Sequence, residues 1–182
     1  MRKLQIGIMG SAADLNYNDE MVIFAKELGK MIAKSGNILV YGAEDEYSSL
    51  STEAAMEASK YNGLTVGVAG GKNKNIYGEF RPSVLINSGL AIGGGREFTL
   101  VLSCDVIIAI SGGSGTLSEI SVAYQAGIPI ITINKFDGWA KKLADTYLDN
   151  RKRLKCISVD NADDALKMAI KEGEKYVKNT KC

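Results

Sequence analysis

Along the whole chain, short runs of β-branched and aliphatic residues alternate with segments whose apolar positions recur every three or four residues. The former pattern marks strands and the latter amphipathic helices. Residues 4–9 (LQIGIM) predict a first strand running into Gly10 and Ser11. Met21, Phe24, Ala25, Leu28 and Ile32 then repeat at helical spacing until Gly36-Asn37 stops them. Residues 38–41 predict a second strand ending at Gly42, and residues 50–60 a helix with Ser51 or Thr52 as its N-cap. An Asn62-Gly63 turn leads into a third strand at 64–68. Residues 70–95 are the least regular part, with Gly70-Gly71-Lys72, Tyr77-Gly78, Arg81-Pro82, a short apolar run at 84–86, and Gly93-Gly94-Gly95. A loop of that length commonly serves as a lid or a ligand contact.

A helix over 96–103 leads to the apolar run 106–110, which is short and β-branched enough for a strand buried on both faces. Residues 111–116 then supply Gly112, Gly113 and Gly115, and a helix follows through Leu117, Ile120, Val122, Ala123 and Ala126 until Gly127 and Pro129 end it. The chain closes with a strand at 130–133, a helix at 139–148, a strand at 155–159 and an amphipathic helix over 162–177. Strands and helices alternating through short connections predict an α/β fold: a three-layer, Rossmann-like, doubly wound parallel sheet of about seven strands. The 182 residues suit a single domain. Ligands of such sheets bind beyond the carboxyl ends of the strands, near the switch in strand order. Gly10, Ser11, Gly42, Gly70-Gly71 and Gly112–Gly115 fall at strand ends, and with Gly94 and Gly95 they are expected to line one crevice.

Composition narrows the chemistry. A net charge of +1 gives no electrostatic reason to expect a nucleic acid or an anionic membrane as partner. No apolar run approaches a membrane span, and the amino terminus leads straight into a strand without a signal-peptide pattern. Cys104, Cys156 and Cys182 are odd in number and scattered, which fits reduced thiols in a cytoplasmic protein, with Cys104 in the core. There is no histidine, which removes Ser-His-Asp and Cys-His nucleophile pairs and the usual zinc sites. Acid–base chemistry is left to Asp, Glu, Lys, Tyr or Cys, and no metal site is expected.

The strand, glycine turn and helix over residues 106–126 put backbone N–H groups at the positive end of a helix, where a phosphate or carboxylate can approach closely. Gly7 and Gly10 do not make GxGxxG, and Gly112-Gly113-Ser114-Gly115-Thr116 lacks the lysine of a Walker A loop. What stands there is GGSGTLSE, with Ser114 and Thr116 as hydroxyl donors and Glu119 within reach of the loop.

GGSGTLSE after an apolar strand, with Arg96 in the preceding helix, resembles the LOG (Lonely Guy) family and its relatives. Those relatives include proteins labelled possible lysine decarboxylases and the molybdenum-cofactor carrier proteins. The similarity runs from GIMGSAAD through Gly127-Ile128-Pro129-Ile130 and is densest over residues 96–129. It implies a Rossmann-like homo-oligomer, a dimer or tetramer, whose loop residues Gly112, Gly113, Ser114, Gly115 and Thr116 hold a phosphate and whose Glu119 and Arg96 are functional. LOG enzymes cleave the N-glycosidic bond of nucleoside 5′-monophosphates to free base and ribose 5-phosphate. Three departures bring this chain nearer to the carriers. Ser111 stands where Pro or Gly precedes GG, GGxxGxM reads as Gly42-Ala43-Glu44-Asp45-Glu46, and Arg96 is followed by Glu97 rather than Lys. Nothing marks a pyridoxal-bearing lysine.

The function expected is therefore carriage or sensing of a nucleotide or nucleotide-derived, phosphate-containing small molecule, with no cofactor required. The alternative is a phosphoribohydrolase using Glu119 and Arg96, and the plainest reading is a structural oligomer that holds only an adventitious anion. In a hydrolase, Glu119 near a helix N-terminus is expected to be ionised and to act as base or electrostatic stabiliser, with Arg96 clamping phosphate or orienting it. Structural roles compete with these. Thr116 and Glu119 also spell a capping box, and Arg96 has Glu97, Glu119 and Asp105 as candidate ion-pair partners. Gly93–Gly95 also suit a tight turn into a helix, Glu44–Glu46 a solvated loop, and Tyr41, Tyr47 and Tyr77 either base stacking or packing.

Overall fold

The structure is a computed structural model that describes residues 2–15, 17–72, 75–91 and 93–180. Its elements in chain order are β1 (Gln5–Gly10), a single 3-10 turn (Ala13–Leu15), α1 (Asp19–Lys34), β2 (Ile38–Ala43), α2 (Leu50–Lys60), β3 (Leu64–Ala69), β4 (Val84–Asn87) and α3 (Arg96–Leu102). They continue with β5 (Val106–Ile110), α4 (Ser114–Ala126), β6 (Ile130–Ile133), α5 (Trp139–Lys142), β7 (Ile157–Val159) and α6 (Ala162–Asn179). The strands form one parallel seven-stranded sheet in the order β4-β3-β2-β1-β5-β6-β7. The expected doubly wound α/β sheet is borne out, and the apolar run at 84–86 supplies its edge strand.

Side-chain alternation explains why both faces are covered. Ile6 and Ile8 of β1, with Val106, Ile108 and Ile110 of β5, pack under α1, α2 and α6. Met9, Ile107 and Ala109 point the other way, onto α3, α4 and α5. Central strands buried on both faces carry few polar residues, so they read as continuous apolar runs. Strand order reverses between β1 and β5, which lie side by side in register up to Gly10 opposite Ile110. The crevice expected of such a sheet therefore opens above these two residues.

Local chemistry shifts several boundaries. α2 is capped by Ser49, whose Oγ accepts from the Thr52 N–H at 3.1 Å, so Ser51 and Thr52 are inside the helix. The helix expected over 139–148 stops at Lys142, because Asp145 takes a left-handed conformation (φ 57°) and Tyr147 pairs with Lys155. Leu143 and Leu148 still pack on the core, which is why their spacing mimicked a helix. Cys104 and Cys156 are buried free thiols; Cys182 lies outside the described residues, as does Met1. Among the described residues no helix is long and apolar enough to cross a membrane.

Candidate functional site

The glycine turn after β5 is shorter than expected, because α4 already begins at Ser114. Gly113 is its N-cap, in extended conformation and without any side-chain cap. The Thr116–Glu119 capping box is therefore not formed. Thr116 is the third helical residue and is buried, packed onto Gly112, where a Cβ would lie 2.4 Å from its side chain. The first helical hydrogen bond runs from Leu117 N–H to the Gly113 carbonyl at 3.0 Å. The amides of Ser114, Gly115 and Thr116 precede it, and a 13-residue helix stands behind them. Among the described residues no atom outside the helix's own backbone and the neighbouring residues lies within 4 Å of where a Gly115 Cβ would be, so this turn is open.

A second layer holds the turn in place. Ser111 has a left-handed backbone (φ 56°), which is strained for a residue with a Cβ. Its Oγ donates to the Asp137 carbonyl at 2.6 Å and accepts from Ser11 Oγ at 3.0 Å. Ser11 Oγ in turn accepts from the Gly112 N–H at 3.0 Å. The amides of Trp139 and Ala140 donate to the carbonyls of Gly112 and Ser111. Gly138 permits this approach: its φ is 141°, and a Cβ there would sit 2.5 Å from the Ser111 carbonyl carbon. Gly138 escaped the sequence reading, although an Asp-Gly pair between strand and helix is an ordinary turn signal.

Arg96 opens α3 and reaches to the end of β2. Its Nη2 donates to Glu44 Oε1 at 2.9 Å, and its Nε lies 4.0 Å from Glu97 Oε1. The side chain is 4% exposed, and Nε and Nη1 are both buried with no hydrogen-bond partner among the described residues. Gly42 makes room for the group, since a Cβ there would lie 2.0 Å from Nη1. Of the three expected structural partners only Glu97 comes within ion-pair distance of the guanidinium. Asp105 pairs with Arg2 instead, and Glu44 takes the position closest to Arg96. Glu97 Oε1 also accepts the Gly93 N–H at 2.7 Å.

Glu119 lies in the second turn of α4 and is 8% exposed. Among the described residues its carboxyl makes no hydrogen bond and no ion pair. Burial pushes its pKa up to about 8; Arg96 opposes that shift, and Glu44 and Glu97 add to it. The ionised Glu119 expected from sequence is thereby corrected. The macrodipole acts within the first turn, and at this depth the loss of water outweighs it. This favours the neutral carboxylic acid, which can donate a hydrogen bond, at neutral pH.

These groups meet in a cleft of about 330 Å³ above the β1–β5 switch. It is lined by Gly10, Asp14, Leu15, Glu44, Tyr47, Gly93, Arg96, Glu97, Glu119 and the start of α4. Ser11 sits behind the cleft and Gly42 beneath Arg96, while Gly94 and Gly95 form the turn into α3. Asp45 and Glu46 are exposed, so of the acidic loop only Glu44 faces inward. Tyr41 is buried against Phe80, and Tyr77 is exposed; Tyr47 is the one of the three tyrosines that lines the cleft. A larger hollow of about 410 Å³ beside α6 is lined by Asp160, Asn161, Asp164 and Lys167, all at the surface. It has neither a glycine turn nor a buried charge, and the β1–β5 cleft has both. Uncapped amides beside a buried arginine form a donor set suited to an anion.

Comparison with known proteins agrees with this fold. An uncharacterised protein of Archaeoglobus fulgidus is 29% identical over 127 residues, covering 70% of this chain and 78% of that one. The molybdenum cofactor binding protein of the phototrophic bacterium Rippkaea orientalis superposes with a TM-score of 0.78 at 29% identity, covering 94% of this chain and 97% of that one. The molybdenum cofactor carrier protein of Chlamydomonas reinhardtii superposes with a TM-score of 0.77 at 25% identity, covering 96% and 99%. The model of the SLOG cluster4 family matches residues 3–166, which bears out the resemblance carried by GGSGTLSE. With that match over most of its length, and the fold it shares with the carriers, the chain belongs to the SLOG cluster4 family.

Proposed function

We propose that the cleft above β1 and β5 binds a nucleotide or nucleotide-derived, phosphate-containing small molecule, and that the protein carries or senses it. The phosphate is received by the amides of Ser114, Gly115 and Thr116, with Arg96 beside them and the hydroxyls of Ser114 and Thr116 as further donors. The observation that carries this reading is the pair of buried guanidinium nitrogens, Nε and Nη1 of Arg96, left without hydrogen bonds among the described residues next to an uncapped helix. A buried donor without an acceptor costs about 1–3 kcal/mol, more for a charged group, and an anionic ligand removes that cost. Two structural neighbours are named for binding or carrying the molybdenum cofactor, which supports a carrier-like role and puts that cofactor among the candidate cargoes.

A second reading, hydrolysis of a nucleoside 5′-monophosphate at its base–ribose bond, is favoured by one observation. Glu119 combines a pKa raised to about 8 with a place in the same cleft as Arg96, as a general acid for a leaving base requires. Carriage is preferred because Glu44 already engages Arg96, so the cleft is less electropositive than one built around phosphate chemistry. Native mass spectrometry of the purified chain, before and after incubation with nucleoside 5′-monophosphates and with molybdenum cofactor, tests both. Retention of an unaltered ligand supports carriage. Release of free base with turnover replaces it by hydrolysis, and no retained mass with any probe leaves a structural role.

A further inference from the structure

The cleft is unusual in its charge. Asp14, Glu44, Glu97 and Glu119 line it together with one cation, Arg96. That cation is already shared, at 2.9 Å by Glu44 from the end of β2 and at 4.0 Å by Glu97 from its own helix. Glu97 is further tied to the Gly93 amide, and Asp14 is exposed to water. Glu119 alone among the four is both buried and, among the described residues, without a hydrogen bond or ion pair. An anion arriving at the start of α4 thus meets more carboxyl groups than guanidinium.

We infer that this cleft takes up a proton together with its anionic ligand, and that Glu119 is the group that holds it. The inference rests on the proposed anion site and adds its regulation: the ligand is bound when Glu119 is neutral and released as Glu119 ionises. The groups facing Glu119 favour its neutral form on balance. Arg96 favours its ionised form, but Glu44 and Glu97 oppose it, and so does removal from water. The Cys104 thiol behind it, itself held protonated by burial, brings no positive charge. Glu119 follows Ser114 by five residues on α4, which places it about 7–8 Å along the helix from an anion at the first turn. At that separation inside a protein, two negative charges strongly disfavour each other. Because such coupling is reciprocal, the anion strengthens the hold on the proton by the factor through which the proton strengthens the hold on the anion. A neutral Glu119 adds an O–H donor, whereas an ionised Glu119 adds only a repelling charge.

The test uses the full chain and sulfate, which stays dianionic over the range studied, with AMP as a second probe. Calorimetric titrations at pH 6.5 to 9.5, in buffers of contrasting ionisation enthalpy, read affinity and proton uptake in the same experiment. Sulfate is expected to bind on the order of tenfold or more weakly at pH 9.5 than at pH 7. Near pH 8, with Glu119 half ionised in the free protein, uptake of about half a proton is expected on saturation. Glu119→Gln is expected to flatten the affinity profile and abolish the uptake. The uptake measurement on the unmodified chain stands on its own if that variant does not fold. Saturable binding with equal affinity across the range and no proton exchange overturns the inference and leaves the anion site intact. A slope that survives Glu119→Gln moves the proton to another group and also overturns it. Absence of saturable binding by either probe at pH 6.5 overturns both the inference and the anion site.

Discussion

The two ends of the β1–β5 pair each carry an arginine, and the two are treated in opposite ways. At the amino end Arg2 grips Asp105 with both terminal nitrogens, at 2.7 and 2.6 Å, and the Gln5 amide donates to the same carboxylate at 2.8 Å. That arginine is 48% exposed, so water serves whatever the carboxylate does not. At the carboxyl end Arg96 is 4% exposed, makes one short contact with Glu44, and keeps two buried nitrogens without a hydrogen bond among the described residues. In the same cleft Glu119, 8% exposed, makes no hydrogen bond among the described residues. Native proteins pair nearly all their buried polar groups, and the exceptions call for a cause. Here they cluster above the strand switch, beside an uncapped helix. One end of the strand pair is finished for stability, and the other is left to be completed by a ligand.

Four substitutions break or sharpen that contrast, from the largest effect to the smallest. Glu119→Gln removes an acid that folding must keep neutral. With its folded pKa raised to about 8 from an ordinary value of 4.5, Glu119 binds a proton more tightly in the folded chain than in the unfolded one. Its contribution is fully present below about pH 4.5, is lost as pH rises towards 8, and is level above that. Urea unfolding should therefore find the Gln variant more stable by up to about 4 kcal/mol at pH 8, with the gain vanishing near pH 4. Arg96→Ala should weaken AMP or sulfate binding on the order of 100-fold by calorimetry, as expected for losing charged hydrogen bonds. Gly42→Ala should displace the guanidinium, since the new methyl would meet Nη1 at 2.0 Å. It should cost about 1–3 kcal/mol in unfolding experiments and lower affinity for the same anions. Arg2→Ala should cost about 1–2 kcal/mol, because Arg2 is half exposed but its loss leaves the buried Asp105 carboxylate with the Gln5 amide as its donor, and should leave anion binding unchanged.

How far the sequence reveals this molecule differs between the sheet and the site. The central strands are legible because burial on both faces removes polar residues from them, and GGSGTLSE is legible because strand, glycines and hydroxyls come in a fixed order. Residues 143–148 are not, since Leu143 and Leu148 keep helical spacing while the backbone turns at Asp145. The start of α4 is not legible either, since Thr116 and Glu119 spell a cap that Gly113 pre-empts. The ionisation of Glu119 is harder still. It depends on Arg96, Glu44 and Glu97, which arrive from another helix and another strand, and on water being shut out. Gly42 looked like crevice lining and is instead the floor beneath Arg96, a role visible only once the two are brought together.

The central claim is that the amides of Ser114, Gly115 and Thr116, with Arg96, form a cradle for an anionic headgroup. A crystal of the full chain grown with excess AMP examines it directly. The account predicts phosphate density within hydrogen-bond distance of those three amides, with an Arg96 nitrogen turned towards it. A cradle filled by the protein's own side chains, or AMP lodged beside α6 with the start of α4 bare, would contradict it.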